Sequence, residues 1–400
     1  MADKRVVILG AGFGGITAAR ELRRLLGTEH TITVIDRKAE FFMGLRKLWV
    51  LAGRANRADG ERRLDLLRGQ GIDVRQAEVT EVDARRRRVV TSAGDVPFDY
   101  LIVALGAEPR PDLVPGWSPA VFNLYDAADV ERLAPAVAAF RAGTVAVGIL
   151  GIPYKCPPAP YEAAMLLDDV FRRRGIRSAV TIQTFTPQPM SLPVVGPVGC
   201  AQVEGLLLAK LIAFQPNRKA VKLDGRKAYF ADGDTMEPDL FIAVPPHVPP
   251  AVVAGSGLAA DGPWITVDPA TLRTRVDGVY AVGDVINIQL ANGMPLPKAG
   301  VLAEGQAKVA AAAIAAEITG RARPSPYDGR GYCFIEVGGE QAAMVVGEFL
   351  AAPAPKVDVA PPTADAYRSK VEFERSRLHD WFTAGEHPSG SESQGGGYFI

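Results

Sequence analysis

Gly10-Ala11-Gly12-Phe13-Gly14-Gly15 constrains this chain more than any other stretch, because glycines at G-x-G-x-x-G spacing serve a turn that leads from a strand straight into a helix. Residues 5–10, Arg-Val-Val-Ile-Leu-Gly, read as a buried strand, Gly14 to Leu26 as a helix and Thr31 to Asp36 as a second strand, which together make a βαβ unit. Gly10 permits the tight turn, Gly12 lets the backbone approach a pyrophosphate, and Gly15 lets helix and strand pack closely. The helix N-terminus offers that anion unpaired N–H groups and a positive dipole end. Asp36, 21 residues past Gly15 and followed by Arg37, is placed to accept hydrogen bonds from an adenosine ribose. A glycine turn that serves packing alone is the competing reading, so the assignment rests on motifs further along the chain.

Further strand-like runs at Tyr100 to Leu105, Thr144 to Leu150, Ala179 to Phe185 and Val279 to Val282 alternate with helical patterns, the signature of an α/β protein built on parallel sheets. Proline-rich stretches at Glu108-Pro109-Arg110-Pro111 and Pro245 to Pro250 mark joints. The expected organisation is two Rossmann-like dinucleotide-binding domains, the second inserted in the first. The first takes residues 1–110 and 265–330, and the second takes 111–264. Residues 331–400 form a small C-terminal α+β region: short strands at Cys333 to Val337 and Ala342 to Val346, then a helix over Ala364 to Phe382. Along that helix Tyr367, Val371, Leu378, Trp381 and Phe382 fall roughly on one face, with Phe373 off it. The Gly/Ser-rich Ser389 to Gly397 reads as disordered.

Equal numbers of basic and acidic side chains, 45 each, give no reason to expect nucleic acid, and Arg85 to Arg88 reads as a solvated turn between strands. The longest apolar stretch, Val309 to Ala316, is far shorter than a membrane-spanning helix needs. The N-terminus runs into a strand without an export signal, so a cytoplasmic protein is expected. Three cysteines are too few for a disulfide framework and fit no zinc spacing, so any cysteine chemistry is redox or catalytic and no metal is expected.

Two further segments resemble motifs of two-dinucleotide-domain flavoproteins. Val279-Tyr280-Ala281-Val282-Gly283-Asp284 is similar to their second flavin motif, whose aspartate binds the ribityl chain of FAD; Leu101 to Gly106 is similar to a short strand motif ending in threonine-glycine, with Leu105 in place of threonine. Pro297-Lys298-Ala299-Gly300 precedes a helical run, Val301 to Ile318. By the same resemblance its N-terminus points at the flavin's pyrimidine edge, with Lys298 adding a cation nearby. An exposed helix-entry lysine is the other reading of Lys298. The inserted domain offers only Gly148-Ile149-Leu150-Gly151-Ile152-Pro153 where a second glycine fingerprint belongs, and its next strand ends Gln183-Thr184-Phe185 without an acid or arginine for a ribose. Nicotinamide binding is therefore disfavoured.

In that turn stands Cys156. A small buried apolar residue is one reading; the other is a thiol whose pKa is lowered by Lys155 and a nearby helix N-terminus. Cys156-Pro157-Pro158-Ala159-Pro160-Tyr161-Glu162, together with Cys333 in Gly329-Arg330-Gly331-Tyr332-Cys333-Phe334-Ile335-Glu336, resembles the sulfide:quinone oxidoreductase and flavocytochrome c sulfide dehydrogenase family, within the FAD-dependent pyridine nucleotide-disulfide oxidoreductase superfamily. That resemblance spans nearly the whole chain. It implies non-covalent FAD, a redox pair of Cys156 and Cys333 that hydrosulfide opens to a persulfide, and transfer of the electron pair through FAD to quinone. Glu162 matches a family glutamate near the thiols and could move protons; a helix-dipole carboxylate is the equal alternative. Cys200 matches neither family cysteine. No cysteine precedes Cys156, which excludes a thioether to FAD from that region. Without an export signal or a Cys-x-x-Cys-His, quinone is the expected acceptor. The terminal helix either presses Trp381 and Phe382 into a membrane interface as part of a quinone pocket, making a peripheral membrane protein, or packs on the core. An NADH:quinone oxidoreductase and a non-catalytic flavin/thiol redox sensor are the alternative functions, and a homo-oligomer stays open.

Overall fold

The computed structural model describes residues 3–259 and 262–383; the Ser389 to Gly397 segment lies outside them. The chain starts with β1 (Arg5–Leu9), α1 (Phe13–Leu26) and β2 (Thr31–Asp36), passes a short helix α2 (Arg46–Leu51), and adds β3 (Asp73–Gln76) and β4 (Tyr100–Val103). It then enters a second unit with β5 (Val121–Asn123), α3 (Ala127–Ala139), β6 (Gly143–Ile149), α4 (Ala159–Arg173), β7 (Val180–Phe185), α5 (Gly196–Ala209), β8 (Ile212–Gln215) and β9 (Leu240–Val244). Finally it returns as β10 (Val279–Ala281) and α6 (Gly300–Thr319), followed by β11 (Arg330–Gly338), β12 (Gln341–Glu348), β13 (Lys356–Val359) and α7 (Ala364–Asp380).

The first sheet runs β10-β4-β1-β2-β3 and the second β5-β9-β6-β7-β8, every pair parallel. The strands are apolar on both faces, Val6 to Leu9 and Leu240 to Val244 being buried, because both faces are covered: in the second sheet one face packs on helices and the other, with Ala146, Phe185, Phe241 and Ala243, on Leu223, Ala228 and Phe230 of a small antiparallel sheet. This is the Rossmann-like α/β architecture expected. The two crossings between the units pair with each other: Glu108 and Pro109 lie antiparallel to Val248 and His247, so the proline-marked joints form one short ribbon. Arg85 to Arg88 lies between the strands Val79–Asp83 and Arg88–Thr91, with its side chains held by surface carboxylates and carbonyls.

The C-terminal strands make an antiparallel sheet, β11-β12-β13. Alternation along β11 splits its side chains between two environments. Cys333, Ile335 and Val337 meet the core of the second unit, whereas Tyr332 and Phe334 pack on Phe373 of α7. The buried face of α7 is Ala366, Lys370, Phe373, Glu374 and Leu378, at i, i+4, i+7, i+8 and i+12. This corrects the expected face: Phe373 belongs to it, and Val371 is exposed. Hydrophobicity alone drew the stripe wrongly because two of the inward positions are a lysine and a glutamate. Trp381 and Phe382 are also buried, against Phe13 and Phe41, so they are core residues and present no aromatic face outward. Among the described residues no helix is long and apolar enough to cross a membrane.

Candidate active site

At the turn from β1 to α1, Gly10 has φ +94°, and a Cβ there would lie 2.4 Å from the Ala104 carbonyl oxygen; a Cβ on Gly15 would lie 1.8 Å from that of Gly10. Those two glycines let strand and helix touch. Gly12 differs, since a Cβ there would meet nothing within 4 Å. It is the N-cap of α1 and supplies no side-chain cap, which leaves first-turn N–H groups facing an open shelf. A Cβ on Gly14 would lie 3.1 Å from the Val282 side chain, so its absence lets α1 approach the chain just past β10. Asp36 accepts hydrogen bonds from the Ala11 amide (2.7 Å) and the Lys38 amide (2.8 Å), which fixes its carboxylate beside the turn. Arg37 pairs with Glu108 at 2.9 Å, and Gly106 has φ +73° in open space.

After β10, the Gly283 amide donates to Gln306 Oε1 (2.7 Å), while burial raises the Asp284 carboxyl against the pull of Lys155 and Lys298. No hydrogen bond closes on that carboxylate among the described residues. Lys298 Nζ donates to the Asp284 and Ile286 carbonyls, at 2.6 and 3.1 Å, and lies 3.5 Å from the centre of the Trp264 ring. It is therefore neither an exposed lysine nor a free cation. It braces the 284–286 loop, and burial brings it down to about 8. Ala299 is the uncapped N-cap of α6, and a Cβ on Gly300 would press on the Phe13 ring. An open shelf at an uncapped helix, a second uncapped helix end and an unpaired carboxylate between them fit FAD. Gly12 and α1 would take its pyrophosphate, Asp284 its ribityl hydroxyls, and Ala299 with Gly300 the flavin's pyrimidine edge.

Cys156 lies next to this loop, three residues before α4. Its backbone is left-handed, φ +49°, a conformation that costs a non-glycine residue about 1–2 kcal/mol and persists only where its surroundings enforce it. Here they do: its N–H donates to the Lys298 carbonyl (2.7 Å), and its carbonyl accepts from Tyr125 Oη (3.1 Å) and the Ala159 amide (3.0 Å). Cys156 is thus tied to the flavin-side loop through one group and to the second unit through the other. Its surface is exposed, yet protein surrounds it on enough sides to disfavour a charge there. Burial pushes the thiol up to about 11, with Glu162 and Asp284 adding to the shift and Lys370 and Lys47 opposing it. The expected lowering by Lys155 and the helix end does not occur. Lys155 Nζ is spent on the Ala107 carbonyl at 3.1 Å, and the Ala159 N–H bonds the Cys156 carbonyl rather than its sulfur.

Cys333 is half-buried on β11 and lies near enough to Cys156 to feel its charge; burial first, then Cys156 and Glu162, raise it strongly. All three cysteines are free thiols, and no disulfide joins Cys156 to Cys333. Cys200 is buried in α5.

Glu162, in the first turn of α4, is 3% exposed, so it is no solvent-facing dipole carboxylate. Its ion-pair partner is Lys370 of α7, which also binds Glu336 Oε2 at 2.9 Å. Glu336 in turn accepts from Trp49 Nε1 (2.7 Å) and pairs with Arg54. Burial raises Glu162, whereas Lys370 and Arg54 overcome burial at Glu336 and hold it low; the two carboxylates keep Lys370 protonated. Two carboxyls are thereby pushed apart in acidity next to the thiols. Sequence reasoning missed Trp49, Arg54, Glu336 and Lys370. Only Glu336 left a trace, as a carboxylate in an otherwise apolar strand three residues from Cys333.

At the end of β6 and in the turn after it, where a second dinucleotide would sit, the glycines lie against other parts of the protein. A Cβ on Gly148 would lie 2.2 Å from the Phe185 ring, and one on Gly151 2.6 Å from Pro246. Those glycines serve packing, and no shelf like that at Gly12 opens there. The model for the pyridine nucleotide-disulphide oxidoreductases matches residues 4–313. The chain belongs to that family. It is an FAD-dependent oxidoreductase. Among its relatives, a mitochondrial sulfide:quinone oxidoreductase of Dictyostelium discoideum is 26% identical over 369 residues, covering 86% of this chain and 77% of that protein. The structure of the sulfide:quinone oxidoreductase from Aquifex aeolicus superposes with a TM-score of 0.86 at 23% identity, covering 96% of this chain and 93% of that one. A type II NADH:quinone oxidoreductase of Staphylococcus aureus is 32% identical, but over 105 residues only, 26% of either chain.

Proposed function

We propose that this family member oxidises sulfide, or a closely related thiol or persulfide, through Cys156 and Cys333 and passes the electrons to quinone. What supports the reading is the clamped, left-handed Cys156, bonded to the Lys298 carbonyl of the flavin-side loop and close enough to act electrostatically on Cys333, as Glu162 and Asp284 act on it. The sulfide:quinone oxidoreductases among the relatives support it over most of their length. FAD, when bound, supplies the two-electron acceptor. In the oxidised form a Cys156–Cys333 disulfide is opened by hydrosulfide. A new sulfur–sulfur bond forms on one cysteine, the old one breaks, and the other sulfur leaves as a thiolate that carries the electron pair onward. Glu162, raised by burial, holds a proton beside the thiols, and Lys370 sets how readily it lets go. On the acceptor side, Tyr332, Phe334 and Phe13, half-buried around Phe373, offer an aromatic face on the far side of β11 from Cys333. The test is an anaerobic sulfide titration followed by flavin absorbance. Wild-type flavin bleaches and recolours on addition of quinone, and Cys156→Ser or Cys333→Ser abolishes bleaching with FAD retained. Full activity in either variant, or bleaching by NADH instead, sinks the reading.

A further inference from the structure

Cys156 precedes Pro157, and a residue before proline is pushed toward extended backbone, because the proline Cδ crowds its N–H and Cβ. Its φ of +49° is therefore disfavoured twice, once as left-handed backbone at a non-glycine residue and once as the neighbour of a proline. Among the described residues three hydrogen bonds oppose this. The Cys156 N–H donates to the Lys298 carbonyl (2.7 Å), beside a β-bridge between Lys155 and Lys298, and the Ala159 N–H reaches the Cys156 carbonyl (3.0 Å) as α4 begins. The third comes from a side chain 31 residues away, the Tyr125 hydroxyl, which donates to the same carbonyl at 3.1 Å.

Tyr125 is anchored outside the thiol turn. It stands between β5 and α3, where its N–H donates to Asn123 Oδ1 (2.9 Å) and the next residue, Asp126, caps α3 by accepting from the Asp129 amide (2.9 Å). Asn123 is buried, so the anchor is firm. The ring meets His247 edge-on at 4.8 Å and Tyr154 at 6.4 Å, and the His247 N–H is bonded to the Pro153 carbonyl (2.9 Å). With the Cys156 N–H held on Lys298, a return to extended backbone is a rotation about the N–Cα bond that carries carbonyl and thiol round together. The Ala159 N–H lies three residues on in the same turn and rides with it, whereas the Tyr125 hydroxyl is fixed elsewhere and resists. Water can replace that hydroxyl as a partner, since the bond is open to solvent, but water holds nothing in place. The cost of left-handed backbone is comparable with the net worth of one hydrogen bond, so a single bond weighs heavily in the ratio of the two conformers.

We propose that Tyr125 is a positioning residue whose hydroxyl selects the left-handed form of Cys156 and so aims the thiol for its reaction. The reaction rests on the sulfide reading; the selection of the conformer does not. Tyr125→Phe keeps the ring between His247 and Tyr154 and removes the hydroxyl alone. The test uses the full-length, FAD-loaded protein labelled with carbon-13 cysteine and kept reduced, in which three cysteines give three sets of signals and Cys156→Ser identifies the set to follow. The Cα and Cβ shifts of Cys156 report the balance between left-handed and extended backbone. Tyr125→Phe moves that balance about fivefold toward extended, the worth of one ordinary hydrogen bond, with FAD content retained. The saturated rate of flavin reduction by sulfide falls in proportion to the left-handed fraction, with KM within about twofold of wild type. Unmoved shifts overturn the proposal whatever the kinetics do, since Tyr125 would then serve packing alone. Moved shifts with an unchanged rate overturn it too, as does loss of FAD from the variant. Moved shifts in a protein whose wild type sulfide does not reduce uphold the selection of the conformer and refute the sulfide function alone.

Discussion

Lys370→Met removes the cation that bridges Glu162 and Glu336 while keeping the length of the side chain. Lys370 is 2% exposed, and its nitrogen lies 2.9 Å from Glu336 Oε2 with Glu162 closer still. At an effective dielectric of 20 the Glu336 contact alone is a gross attraction of about 6 kcal/mol, which the cost of burying the ammonium partly offsets. Breaking a buried pair from one side costs about 3–5 kcal/mol, because the remaining charge is stranded. Glu336 keeps Arg54 and Trp49, so the stranded group is Glu162. Its folded-state pKa is already raised by burial, and it rises further once Lys370 is gone. A carboxyl whose folded pKa lies above its unfolded value takes up a proton on folding between the two, so stability falls as pH rises through that window. The variant's deficit is therefore full at pH 8 and shrinks at pH 5, by about 1.4 kcal/mol for each unit of added shift. Urea denaturation of the FAD-loaded protein at both pH values measures it, and the double variant Lys370→Met/Glu162→Gln recovers most of the loss at pH 8. A deficit below about 1 kcal/mol at pH 8, an equal deficit at both pH values, or no recovery in the double variant refutes the reasoning.

Three further outcomes are expected from the same geometry. Gly15→Ala forces a Cβ onto the Gly10 carbonyl and should cost about 3 kcal/mol or prevent folding, whereas Gly12→Ala projects into open space, leaves apo stability within about 1 kcal/mol and loses FAD; equal effects of the two on stability would show that Gly12 is a packing glycine. Asp284→Ala should weaken FAD binding about tenfold or more, the size of one or two charge-assisted hydrogen bonds, and unchanged flavin retention through gel filtration counts against its ribityl role. Because Cys156 sits near 11 and the thiolate is the reactive form, its iodoacetamide rate should climb about tenfold per pH unit from 7 to 10. Glu162→Gln should speed that reaction severalfold at pH 8 by removing a negative charge and releasing Lys370; a rate that levels off below pH 9 in the wild type refutes the raised thiol.

Much of the frame was legible in residue order because it depends on local rules. Glycine spacing, strand alternation and the placement of Asp36 and Asp284 each follow from a turn or a strand end, and a short stretch of chain carries such a rule entire. Reading electrostatics from neighbours in sequence failed for the same reason. Lys155 adjoins Cys156 yet sends its ammonium to Ala107, while the charges that act on the thiol come from Lys47, Glu162, Asp284 and Lys370. The face of α7 was misread because its inward positions include Lys370 and Glu374, and hydrophobic periodicity has no means of seeing a charge that is buried because its partner is buried opposite.

By itself, then, the sequence determined a pair of parallel-sheet units, the glycine turn at Gly10 to Gly15 and the strand end at Gly283-Asp284 that fit FAD, and two cysteines in recognisable settings, since motifs of this kind are set by backbone geometry over a few residues. Only the tertiary structure decided what surrounds those cysteines. Cys156 and Cys333 are 177 residues apart in the chain, and the groups that act on their ionisation arrive from α2, α4, α7 and the Asp284 loop. Burial and charge act through space, so the acidity of a thiol belongs to the packed molecule rather than to its neighbours along the chain.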